Sequence, residues 1–247
     1  ARQQQQYQTT ERLIWFVKKV NQNGGRAIKI THTLPDALAA VDQLQAHIPR
    51  PLLWKGSHKC HVKTYQYITC TSEGVWDLYM HDLYFLAIAD DPWSMQDLSD
   101  GAQITTMRRE RLYADHPWRQ QWNLTNRCRE NFVTVMTEAI SRGKLQHDGR
   151  RALEIHSADW FLDEDGRMYM IECNGIPVLY DAMQNQPLLT RGLRLYDGLY
   201  KQNPETAVVD DHKMLKDAVW LAVRGSLPAK TLWVHLATIP SPAAKSS

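Results

Sequence analysis

Short apolar runs broken by polar turns dominate the pattern of this chain. Residues 13–17 form an unbroken β-prone run. A polar, glycine-bearing stretch follows, and then a second run at 27–31, so the pattern predicts strand, glycine loop, strand. Such a loop lets backbone N–H groups approach an anion, and it equally serves as an ordinary hairpin turn. Residues 34–44 open near Pro35 and repeat Leu38, Val41 and Leu44 at helical spacing, which predicts a short amphipathic helix. Residues 75–86 are β-rich. Phe132, Val135, Met136 and Ile140 predict a packed helix over 131–140, and Met214, Leu215, Ala218, Leu221 and Ala222 predict another whose apolar stripe is core.

One pair of runs carries candidate chemistry. Residues 158–162 and 168–171 flank Asp163-Glu164-Asp165-Gly166, and an Asp-Gly step between such runs predicts a β-hairpin. Asp159 lies inside the first run, while Glu172 and Asn174 lie at the exit of the second. Residues i and i+2 of a strand share a face, so Glu172 and Asn174 project together, with Asp159 on the neighbouring strand. Two carboxylates and an amide oxygen form the hard-oxygen set magnesium uses beside nucleotide phosphates. The competing reading is a solvated hairpin whose acids face water.

Composition narrows the classes. At 247 residues and 43% hydrophobic the chain can bury a core as one large or two small domains. A net charge of +2 gives no nucleic-acid signal. Cys60, Cys70, Cys128 and Cys173 lack paired metal-ligand spacing, so reduced thiols are expected. No window has the length of a membrane span or a secretory leader. Opening on Ala1 leaves removal of an organelle-targeting peptide open. Arg108, Arg109, Arg111, Arg119, Arg127 and Arg129, interleaved with aromatics, read either as a solvated helical face or as a docking surface for an acidic partner.

The string DWFLDEDGRMYMIECNGIP, from Asp159 to Pro177, resembles the C-terminal signature of the tubulin–tyrosine ligase-like family. LIWFVKKVNQNGGRAIKI resembles its nucleotide-lysine segment, and LQAHIPRPLLWKGSHKCHVKTYQYI its adenine linker and central strand. The resemblance implies an α+β, ATP-grasp fold: two mixed or antiparallel β-sheets with flanking helices and a nucleotide cleft between them. It implies an arm at 1–12, a small lobe at 13–55, a large lobe at 56–225 and a tail at 226–247, without the family's N-terminal subdomain. It implies that Asp159, Glu172 and Asn174 hold Mg2+, and that Lys18, Gly24, Gly25, Gln45, Ile48, Lys59, Lys63 and Thr105 bind ATP. Asn123-Leu124-Thr125-Asn126 is a second candidate for the motif assigned to Thr105. Lys59 and Lys63 are the catalytic candidates, neutralising phosphate and acyl-phosphate charge. Lys19 replaces the family's proline, His61 an aspartate and Lys63 an arginine.

The activity implied is ATP-dependent joining of a carboxylate to an amine, adding an amino acid to an acidic protein acceptor, in the cytoplasm or on microtubules. Departures that cluster where chemistry happens imply an alternative: a catalytically degenerate domain serving as a structural or nucleotide-binding subunit of a larger assembly.

Overall fold

Two long strands, β5 (His58–Cys70) and β6 (Val75–Ile88), form the spine of the computed structural model. The structure describes residues 13–19, 28–33, 43–105, 108–145, 149, 152–174, 214 and 216–241. The turn between β5 and β6 closes when the Gly74 N–H donates to the Thr71 carbonyl at 3.0 Å. Gly74 sits at φ +79°, a left-handed conformation that glycine adopts without steric cost.

The remaining elements are β1 (Trp15–Lys18), β2 (Lys29–Thr31), β3 (Gln43–Ala46), β4 (Leu53–Trp54), α1 (Asp100–Gln103), β7 (Arg108–Arg111), α2 (Pro117–Gln121), α3 (Leu124–Ser141), β8 (Ala152–Leu162), β9 (Met168–Asn174) and β10 (Trp233–Pro240). The larger sheet runs β10-β6-β5-β8-β9, with β4 added to β5 and β7 to β6; the smaller runs β2-β1-β3. Neighbours are antiparallel in both sheets. The architecture is therefore α+β, two antiparallel sheets with flanking helices. Just ahead of β4 the Leu52 N–H donates to the Leu162 carbonyl at 2.8 Å.

The core follows from side-chain alternation. Cys60, Val62, Ile68 and Cys70 of β5 pack with Leu78, Met80, Leu86 and Ile88 of β6 under α3. That helix buries Leu124, Cys128, Phe132, Met136 and Ile140, one residue every four, so a single stripe seals the sheet. Each large side chain removed from water this way contributes on the order of 1.5–3 kcal/mol. On the opposite face, Tyr65, Tyr67 and Tyr79 pack with Met214, Ala218, Leu221 and Trp233, and residues 216–224 are helical as the apolar stripe predicts.

The hairpin, the opening strands, β6 and the packed helix lie where the pattern puts them. Three readings change. Arg108–Arg111 is the strand β7, paired with Phe85–Ile88, rather than a helical face. Four charged residues in a row have no apolar period, and charge is what a sheet edge tolerates. Leu44, placed in a helix, lies in β3; residues 34–42 lie outside the described residues. β10 lies inside the stretch read as a tail and pairs with β6, anchored by buried Trp233.

Candidate functional site

The part of the face opposite α3 that lies nearer the start of β5 is polar. Lys59, His61 and Lys63 alternate along the strand, so all three project together, and they are only 3%, 6% and 6% exposed. Buried cations cost several kcal/mol each unless something compensates them. The three are compensated very differently.

Lys63 stands opposite Asp159 in the β5–β8 register, and its Nζ lies 2.5 Å from Oδ1. The second carboxylate oxygen, Oδ2, lies 3.6 Å from His61 Nε2. The other nitrogen of that imidazole, Nδ1, lies 2.6 Å from Thr105 Oγ1, just past α1. Asp159 is thus enclosed by one ammonium and one imidazole.

Lys59 meets no carboxylate among the described residues. Its Nζ donates to Gln103 Oε1 at 3.3 Å and contacts His47 Nδ1 at 3.5 Å, and it lies 4.5 Å from the Phe16 ring centroid. Burial, and secondarily the charge of Lys18, lowers its pKa to about 7. Burial and then Lys59 lower that of His47 to about 3, so its imidazole is neutral. When Lys59 is protonated it can only donate, which makes His47 Nδ1 the acceptor and places the ring proton on Nε2. That Nε2 is buried without a hydrogen-bond partner among the described residues, as is Nε1 of Trp93, whose ring stacks on His47 at 5.7 Å. Gln103 is aimed by its own Nε2, which donates to the carbonyls of Ser94 at 2.9 Å and Asp97 at 2.6 Å. A buried, poorly compensated ammonium next to buried N–H donors is chemically suited to an anion.

Glu172 faces Asp159 in the β8–β9 register, and a bulge follows immediately. Asn174 Nδ2 donates to Glu172 Oε1 at 3.0 Å, and Glu172 Oε2 lies 3.9 Å from Lys18 Nζ, which links β9 to the smaller sheet. Gln45 pairs with Phe16 across β1–β3, and half-buried Ile48 follows β3. Gly24 and Gly25 lie outside the described residues.

The donor types of Asp159, Glu172 and Asn174 suit magnesium, and Asn174 keeps its amide oxygen for a cation. Among the described residues no group of three or more His, Cys, Asp or Glu side chains converges for a metal. Lys63 also opposes a cation at Asp159: unit charges about 4 Å apart repel by roughly 4 kcal/mol at an effective dielectric of about 20. An anionic ligand lying between them relieves that repulsion.

His47, Trp93 and Gln103 are the site residues that the sequence pattern does not single out. The local signals are the position of His47 between Gln45 and Ile48 and that of Gln103 at the head of the Gln103-Ile104-Thr105-Thr106 stretch assigned to the Thr105 motif. No helix among the described residues is long and apolar enough to cross a membrane. The family model of the tubulin-tyrosine ligase family matches residues 1–103. No curated protein matches the chain.

Proposed function

We propose that this chain, whose residues 1–103 match the family model of the tubulin-tyrosine ligase family, is a ligase-type domain binding ATP in a cleft between its two sheets, and that its reaction joins a carboxylate to an amine on a protein acceptor. Lys59 is the observation that carries the reading. A nearly fully buried lysine without a carboxylate partner among the described residues, held only by an amide oxygen and an imidazole nitrogen, is a cation that a phosphate would stabilise. Lys63 and Lys18 would add positive charge, Thr105, set against His61, would help hold the phosphates, and Gln45 and Ile48 would face the adenine.

Asp159, Glu172 and Asn174 would hold magnesium. When bound, the metal supplies charge neutralisation along the phosphates. The chain's own part is positioning: the register of β5, β8 and β9 fixes Lys63, Asp159 and Glu172 side by side before any ligand arrives. Isothermal calorimetry with ATP tests the reading. Saturable heat is expected from the wild type, with loss of most of it in Lys59→Gln. Silence at millimolar ATP overturns it.

One observation favours a second reading, in which the domain is a subunit of a larger assembly. Val219 (61%), Trp220 (45%) and Val223 (73%) leave apolar surface exposed on the C-terminal helical segment. Purification at native abundance as a stable high-mass complex supports this role, and a free monomer counts against it.

A further inference from the structure

We propose that Lys63 is a built-in cation of the site, so that the chain takes up a polyphosphate free of divalent metal and admits metal only afterwards, in competition with Lys63 for Asp159. The inference rests on the nucleotide reading above and adds what form of the ligand enters first.

The geometry is specific. Lys63 and Asp159 are cross-strand partners with Nζ 2.5 Å from Oδ1, and their side chains are 8% and 9% exposed. His61 occupies the approach to Oδ2 at 3.6 Å, and its own position is fixed by Thr105. A cation arriving alone therefore finds both oxygens of Asp159 attended. It is left with Glu172, whose side chain is 47% exposed and near Lys18, and with the Asn174 amide. One exposed carboxylate and one amide hold magnesium weakly, because the ion keeps its waters unless carboxylates and phosphate oxygens together replace them. A phosphate arriving alone meets the opposite situation. Lys59 lacks a carboxylate among the described residues, and Lys63 has three ammonium donors of which Asp159 takes one. Charge-assisted bonds of this kind are the stronger class.

The experiment compares ATP binding by calorimetry in EDTA and in magnesium, with a parallel titration of Mn2+ alone followed by its paramagnetic resonance signal. Wild-type chain is expected to bind ATP in EDTA within about threefold of its affinity in magnesium, and to leave free Mn2+ unaffected. Lys63→Met is expected to weaken ATP binding in EDTA by about tenfold or more and to gain Mn2+ uptake at the vacated Asp159. Wild-type binding seen only with magnesium, or Mn2+ uptake without nucleotide, overturns the inference and leaves the nucleotide reading standing. Absence of ATP binding in both buffers removes the nucleotide reading, and this inference falls with it. The wild-type comparison decides the matter even if the variant does not fold.

Discussion

The two faces of β5 are built from one strand by opposite rules. Cys60 and Val62 turn toward α3 and join a continuous apolar core. Lys59, His61 and Lys63 turn the other way and bury charge nearly as deeply. The first face gains free energy from every side chain it removes from water. The second loses it, recovering part through Asp159, Thr105 and Gln103. A strand that accepts such a cost on one face only, at alternate positions, separates the surface that makes the fold from the surface that uses it.

The comparison breaks most visibly if the apolar face is opened. Phe132→Ala is expected to destabilise the chain by about 4 kcal/mol in urea unfolding, since the ring is fully buried among β-sheet side chains. Nearly as large an effect is expected on the polar face from a single loss. Asp159→Leu strands the Lys63 ammonium and should cost about 3 kcal/mol, whereas Asp159→Leu with Lys63→Met should return to within about 1 kcal/mol of the wild type. If the double variant stays as unstable as the single one, the pair is a structural requirement and the contrast between the faces is lost.

Lys59→Met sharpens the contrast. It should stabilise the free protein by about 1–2 kcal/mol while removing ATP binding. Its pH signature has a definite sign. Lys59 titrates at about 7 in the fold against 10.5 ordinarily, so between those values the unfolded chain holds a proton that the folded chain does not. Wild-type stability should therefore rise with pH across that window, and Lys59→Met should flatten the rise. The smallest effect belongs to the surface. Arg50 pairs with Asp165 with both side chains well exposed, and Arg50→Ala should change stability by less than about 1 kcal/mol.

Much of this was legible in the sequence where local pattern and tertiary role agree. The Asp-Gly hairpin, the residue-every-four stripe of α3 and the alternation that puts Glu172 beside Asn174 are all short-range signals. Elsewhere the determining contacts are distant. Trp233 donates its indole N–H to the Met214 carbonyl, and β10 exists because β6 offers an edge; neither fact is written within residues 226–247. Arg108–Arg111 shows no strand period because β7 is held by its backbone bonds to β6. In the site, Lys59, Lys63 and Asp159 could be named from the sequence. Their pairing could not, since Lys63 and Asp159 meet only through the β5–β8 register, 96 residues apart. His47, Trp93 and Gln103 come from three separate segments, and only the fold brings His47 and Gln103 to the Lys59 ammonium and stacks Trp93 on His47.

The most direct test of the central claim, that the charged face of β5 is a polyphosphate site, is a structure determined with ATP bound. Phosphate oxygens are expected within hydrogen-bond reach of the Nζ atoms of Lys59 and Lys63, with His47 Nε2 or Trp93 Nε1 gaining an acceptor. Nucleotide bound elsewhere, with Lys59 still held only by Gln103 and His47, would contradict the account.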